Sequence, residues 1–270
     1  MSEFRFHFFS KVLNTRANVY VVLPTCMGDG QGPEELYRKN VKFQVLWLLH
    51  GGGGDDLDWP VHSSITRYAE RNNLAVIMPG VGNSIYADSI YGMKYWTYLT
   101  DELPRLMYSY FPLSDVREDN FVAGLSMGAH GAMKLALNFP ERFSAMACLS
   151  GAGFSLKKLD QMIHEKEPVE IQYIFGDVEN VRLTVDDVYY QAELRKKQNI
   201  SQPQMYLACG TEDFILPICR ESRQILQGLG YKIDYVEEPG YAHQWEFWDP
   251  YIRKVIEEWL PLKKQPIFEK

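Results

Sequence analysis

Two kinds of apolar spacing divide the chain. Near the N-terminus apolar and polar positions alternate, with Phe4, Phe6 and Phe8 set against Glu3, Arg5 and His7, and Ala17-Asn-Val-Tyr-Val-Val-Leu23 follows. A period of two is that of a half-exposed strand, so this stretch predicts a hairpin at a sheet edge, joined at Asn14-Thr15-Arg16. Beyond a polar, Gly- and Pro-bearing loop over 24–40 the alternation stops, and short, non-alternating apolar runs appear at 43–49, 74–78, 120–124, 145–149, 204–209 and 232–237. Runs apolar on both sides, separated by crossovers of helix length, are the pattern of parallel strands covered on both faces. The handedness of such crossovers spreads the helices over both sides of one twisted sheet. The predicted fold class is therefore α/β: a mostly parallel twisted sheet, an N-terminal antiparallel hairpin, and helices on both faces. A (β/α)₈ barrel suits the length but not the leading hairpin or the uneven spacing.

The alternation is looser after the fourth run. Segments 156–168 and 186–198 read as helices, and 171–175 as a short strand or buried bend between them. With no linker, repeat or low-complexity tract, residues 1–270 are expected to form one domain, with about 152–200 an excursion beside the sheet.

Composition narrows the functional classes. At 46% hydrophobic and 23% charged residues the chain is that of an ordinary globular protein, and a net charge of −7 disfavours binding to nucleic acid. The longest apolar runs, such as Val45-Leu-Trp-Leu-Leu49, are too short to span a bilayer, so no membrane partner is expected. Residues 1–10 lack the basic, apolar and small-residue succession of a secretory signal. The four cysteines, Cys26, Cys148, Cys209 and Cys219, show no CxxC spacing, and Cys148 and Cys209 sit in apolar runs as buried, reduced thiols would. These features together predict a cytoplasmic location and no metal site.

The candidate chemistry begins at Phe121-Val-Ala-Gly124-Leu-Ser126-Met-Gly128-Ala-His130. Here a Gly-x-Ser-x-Gly motif stands between a strand run and a helix run of small residues. A serine on such a turn is held in a strained conformation with its hydroxyl above the sheet, and side chains in place of Gly124 and Gly128 would strike the neighbouring elements. A serine hydroxyl that attacks a carbonyl also needs donors for the developing oxyanion. His50-Gly-Gly-Gly-Gly54, directly after the first buried run, resembles the glycine loop that supplies one such donor in lipases and esterases. Gly52 is the chosen donor, with Gly51 or Gly53 as fallback, and Met127, the residue after the serine, supplies the second. A phosphate cradle, the rival reading of the glycines, lacks its lysine and its helix-opening GxGxxG.

The general base should be a histidine later in the chain than the serine and the acid. His50 is better suited to anchoring the glycine loop, His130 lies one turn into the helix, and His7, His62 and His164 occupy polar surroundings. His243, in Gly240-Tyr-Ala-His243-Gln-Trp245, follows the last strand run and is the choice. For the acid, the loop Gly210-Thr-Glu212-Asp213 offers Asp213, preferred for its short reach, and Glu212 as runner-up; Asp177 is a third option.

Taken together, His50-Gly-Gly-Gly-Gly-Asp-Asp-Leu-Asp-Trp59, Tyr91-Gly-x-x-Tyr95-Trp96, Gly124-Leu-Ser-Met-Gly-Ala-His-Gly-Ala132, Gly210-Thr-Glu-Asp213 and Gly240-Tyr-Ala-His243-Gln-Trp245 resemble the esterase D superfamily. That superfamily includes S-formylglutathione hydrolases, feruloyl and acetylxylan esterases and bacterial tributyrin esterases. Pro79-Gly-Val-Gly-Asn-Ser-Ile-Tyr-Ala-Asp88 lies nearest the tributyrin branch. The resemblance implies an α/β-hydrolase fold, a Ser126–Asp213–His243 triad, hydrolysis of short-chain acyl esters as small-molecule substrates, and no cofactor. Many members self-associate, so a homo-oligomer is a further expectation. Gly-Leu-Ser stands where formylglutathione hydrolases usually carry Gly-His-Ser, which weakens a glutathione thioester as the main substrate. Matching positions suggest Tyr95 and Trp96 as pocket walls, with Leu57, Trp59 and Trp245 as further candidates. The alternatives are a formylglutathione thioesterase, a carbohydrate or feruloyl esterase, an acyltransferase, and a non-catalytic scaffold; the last would be expected to have lost the serine, the histidine or the glycine loop.

Overall fold

The computed structural model describes residues 1–25, 41–166, 168–265 and 267–268. Eight strands form one sheet: β1 (Ser2–Ser10), β2 (Thr15–Leu23), β3 (Gln44–Leu49), β4 (Leu74–Pro79), β5 (Asn120–Leu125), β6 (Ala145–Leu149), β7 (Gln204–Gly210) and β8 (Ile233–Glu238). Their spatial order is β1-β2-β4-β3-β5-β6-β7-β8. β1 and β2 pair antiparallel from Ser2↔Leu23 to Ser10↔Thr15, and β2 joins β4 antiparallel. Every pairing from β4 to β8 is parallel. This is the α/β-hydrolase architecture, a mostly parallel sheet led by an antiparallel hairpin.

The central strands carry apolar runs because both their faces are covered. All six residues of β3 are buried, as are all six of β4 and β5. Along β3, Val45, Trp47 and Leu49 enter one core layer and Leu46 and Leu48 the other. The first layer is filled by α2 (Leu103–Tyr110) and α3 (Met127–Asn138), the second by α1 (Ile65–Arg71) and α8 (Trp245–Lys254). At about 1.5–3 kcal/mol for each buried aliphatic or aromatic side chain, this two-sided burial is the main source of stability.

The chain reverses direction across the sheet at β3. From β3 it runs outward to β4, then crosses back to β5 on the other flank of β3, with Leu49 opposite Gly124. The glycine loop after β3 and the turn after β5 thus emerge side by side at the carboxyl edge, the place where open α/β sheets form their clefts.

Two local expectations are corrected. The hairpin turns over residues 11–14, with Thr15 and Arg16 already in β2; Asn14 takes the left-handed conformation (φ 52°) and the Ser10 hydroxyl accepts the Leu13 N–H at 3.0 Å. Residues 171–175 are neither strand nor bend but the body of helix α5 (Val169–Phe175), since Ile171, Ile174 and Phe175 bury at helical spacing behind Pro168. The rest of the excursion consists of α4 (Leu156–Glu165), capped by the Ser155 hydroxyl, and α6 (Val188–Lys197), capped by Asp187. α7 (Leu216–Gly228) follows β7. Cys148, Cys209 and Cys219 are buried free thiols, while Cys26 and most of the 24–40 loop lie outside the described residues. Among the described residues no helix is long and apolar enough to cross a membrane.

Helix α3 is buried along its whole length, including Lys134. The Lys134 ammonium donates to the Tyr86 carbonyl at 2.8 Å, pairs with Asp186 and lies 3.9 Å over the Trp96 ring. Burial pushes its pKa down, and Asp186 opposes that shift. Asp186→Ala would leave the ammonium uncompensated and is expected to lower the unfolding free energy by about 3–5 kcal/mol in urea titration. Replacing the pair together, with Lys134→Met and Asp186→Ala, should cost much less.

Candidate active site

Ser126 occupies the turn between β5 and α3 with φ 53° and ψ −117°, a conformation that costs a non-glycine residue about 1–3 kcal/mol. Its surroundings leave no alternative. A Cβ on Gly124 would lie 2.3 Å from the Gly128 carbonyl oxygen, and one on Gly128 only 2.4 Å from that of Leu49. The helix start is therefore pressed against both β5 and β3. The Ser126 N–H donates to Leu149 O at 2.9 Å, and its carbonyl accepts from the Ala129 N–H at 3.0 Å, which fixes the turn at both ends.

The structure brings Ser126, His243 and Asp213 together. Ser126 Oγ lies 3.0 Å from His243 Nε2, and His243 Nδ1 lies 3.0 Å from each carboxylate oxygen of Asp213. Because an ionised carboxylate only accepts, Nδ1 carries the imidazole proton and Nε2 is left to accept from the serine hydroxyl. Asp213 lies in the middle of the loop between β7 and α7, and its Oδ1 accepts the Ile215 N–H at 3.0 Å. Burial raises its pKa, but the hydrogen bonds from His243 and Ile215 outweigh that effect and hold it below the ordinary value. The His243 ring lies between Phe214, at 4.7 Å, and the edge-on ring of Trp248, at 4.9 Å.

The other candidates are engaged elsewhere. Glu212 is exposed beside Thr211, and Asp177 caps a short 3₁₀ turn by accepting the Glu179 N–H at 2.8 Å. His130 is buried against Phe154, its Nδ1 accepts the Phe154 N–H at 3.3 Å, and burial with the nearby Lys134 pushes its pKa down to about 3. His50 accepts the Val81 N–H on Nε2 at 3.0 Å, so its Nδ1 carries the proton and donates to Gly51 O at 2.7 Å. That neutral ring ties the glycine loop to the loop after β4. Among the described residues no group of three or more His, Cys, Asp or Glu is placed to hold a metal ion.

Ser126, Met127, Gly52 and Gly53 line a cavity of about 360 Å³. The Gly53 N–H is already bound by Asn83 Oδ1 at 2.6 Å, and Gly51 does not reach the cavity wall. The remaining wall is largely apolar and includes Ile85, Phe154, Met162 and Phe214.

The structure does not bring Tyr95, Trp96, Leu57 or Trp245 to this cavity. Trp96 is held in the core by Lys134 and by stacking on Phe139 at 5.7 Å. Trp245 packs against Trp59 and Trp248 on the opposite face of the sheet, and Trp59 is itself buried with its indole N–H on Leu49 O. Tyr95 lines a neighbouring cavity of about 260 Å³. Leu57 sits at the start of the one-turn helix Asp58–His62. The walls come instead from residues not expected to line a pocket: Asn83 and Ile85 after β4, Phe154 and Met162 from the excursion, and Phe214 beside Asp213.

Comparisons with known proteins place the chain among esterases. The family described as "Putative esterase" matches residues 10–254. An acetyl esterase of Caldicellulosiruptor saccharolyticus is 29% identical over 266 residues, covering 96% of this chain and 98% of that one. Among solved structures, the fluorophosphonate-binding serine hydrolase FphF of Staphylococcus aureus aligns with a TM-score of 0.84 at 28% identity, over 96% of this chain and 98% of its own. The S-formylglutathione hydrolase FrmB of Staphylococcus aureus aligns with a TM-score of 0.81 at 28% identity over the same shares.

Two outcomes are expected. Gly128→Ala should destabilise the protein by about 3 kcal/mol or more, seen as a lower thermal midpoint, because its methyl has no room beside Leu49. Asp213→Asn should show a pH-linked deficit. Since the folded carboxyl titrates below its unfolded value, its contribution is present above pH about 4 and is lost as pH falls through the folded pKa. The stability gap between the native chain and Asp213→Asn, measured by urea unfolding, should therefore shrink on acidification.

Proposed function

The chain belongs to this esterase family and is a serine hydrolase of carboxylic esters, and on that premise we propose that it cleaves short-chain acyl esters through an acyl-enzyme on Ser126. The observation that carries this reading is the continuous line of hydrogen bonds from Ser126 Oγ through His243 to the buried Asp213.

In this reading His243 Nε2 takes the Ser126 hydroxyl proton as Oγ attacks the ester carbonyl. Asp213 holds the imidazole in the required tautomer and stabilises the imidazolium that forms. The tetrahedral oxyanion is bound by the Gly52 and Met127 N–H groups, each of which belongs to a residue on the cavity wall beside Ser126. Gly52 is favoured over its fallbacks because Gly53 is occupied by Asn83 and Gly51 is not on the cavity wall. Collapse expels the alcohol, which leaves with the proton from His243, and the acyl group stays on Oγ. Water, deprotonated by the same imidazole, then attacks the acyl carbonyl; collapse breaks its bond to Oγ, which takes the proton back from His243, and the carboxylic acid leaves. The acetyl esterase relative supports the short acyl preference. The formylglutathione hydrolase neighbour supports a second reading, a thioesterase working by the same steps.

Ser126→Ala should lower kcat for p-nitrophenyl acetate and butyrate by at least about 10³-fold while leaving the thermal midpoint near that of the native chain. A variant that keeps a sizeable share of activity would remove Ser126 from the nucleophile's role. A series of acyl lengths from acetyl upward, run beside S-formylglutathione, separates the two readings.

A further inference from the structure

The cavity beside Ser126 has one feature that ester chemistry itself does not require. Glu170, from α5 of the excursion, is the one ionisable side chain on its wall among the described residues. The same residue lines the neighbouring cavity that holds Tyr95, so its side chain stands on the partition between the two spaces. One hydrogen bond orients it. Asn83 Nδ2 donates to Glu170 Oε1 at 3.1 Å, while Asn83 Oδ1 accepts from the Gly53 N–H at 2.6 Å. The carboxylate is thus tethered, through one amide side chain, to the loop that carries Gly52.

A neutral amide donor orients a carboxylate without cancelling its charge, and Glu170 forms no ion pair among the described residues. Lys157 and Lys158 line a separate groove that meets this cavity only at Phe214 and also contains Glu221. Glu170 is half-buried and its bond to Asn83 is open to solvent, so its field reaches the apolar-walled cleft partly screened and most strongly at low ionic strength. The net charge of −7 acts in the same direction.

We propose that Glu170 sets the charge selectivity of this site, so that it takes esters that are neutral or cationic in the part lying beside Glu170 and discriminates against anionic ones. The inference rests on the hydrolase reading and narrows its substrate class. Glutathione carries more carboxylates than ammonium groups, so its thioesters fall on the disfavoured side and uncharged acetyl esters on the favoured side.

The test compares matched pairs of substrates: phenyl acetate with 4-acetoxybenzoate, charged in the leaving group, and p-nitrophenyl butyrate with mono-p-nitrophenyl succinate, charged in the acyl group. Glu170→Gln removes the charge but keeps an acceptor oxygen for Asn83. The anionic-to-neutral ratio of kcat/KM should rise about fivefold in Glu170→Gln for at least one pair, and the responsive pair identifies which part of the ester passes Glu170. In the native chain that ratio should also climb as salt is raised from about 20 mM to about 500 mM, and the climb should flatten in the variant. Ratios unchanged in both pairs, with the salt response intact in Glu170→Gln, would overturn the proposal. Failure of the native chain to hydrolyse either neutral ester would instead overturn the hydrolase reading beneath it.

Discussion

Ser126 keeps a backbone conformation that would relax if the surrounding chain gave way, and it does not give way because two backbones are packed against each other without side chains between them. The first turn of α3 lies against the carbonyl of Leu49 on one side and against Gly124 on the other. That contact is possible only where β3 and β5 are neighbours, which in turn depends on the chain reversing its direction across the sheet at β3. The strain of about 1–3 kcal/mol at one residue is small beside the burial of two core layers, so the fold can hold it. The serine's position relative to His243 is a consequence of this packing more than of any bond the serine makes.

A second level of order lies in the loops at the carboxyl edge, where apolar packing cannot select one arrangement. Polar groups do so here. His50 bridges to Val81, the Tyr86 hydroxyl donates to the His50 carbonyl at 2.8 Å, and Asn83 bridges Gly53 and Glu170. Each bond joins the glycine loop to the loop after β4, and the last extends the connection to the excursion. Preorganised donors lose no energy to reorganisation when charge develops on a substrate, which is the use such lacing has in an oxyanion site.

The parts legible in the sequence were those governed by periodic burial or by a short motif with a steric cause. Strands β3 to β7 stood out because burial on both faces leaves unbroken apolar runs, and the turn at Ser126 because the glycines at 124 and 128 have a local reason to be there. Residues 171–175 were misread because five apolar-rich residues fit a strand as well as a helix, and the choice was made by which of them met the core. The aromatic stretch around Tyr95 and Trp96 was read as a pocket wall, yet Trp96 is claimed by the ammonium of Lys134, a partner 38 positions along the chain that no periodicity reveals. Phe214 and Glu170 reach the cavity only because the excursion and the β7–α7 loop close over the same edge, a tertiary fact without a local signature.

The central claim is that this packing yields one activated hydroxyl, at position 126. Treating the folded chain with a fluorophosphonate and locating the adduct by peptide mass mapping tests it most directly. A single adduct on Ser126 is expected; an adduct on any other side chain, or a folded chain that stays unlabelled, would mean that this packing does not activate that hydroxyl alone.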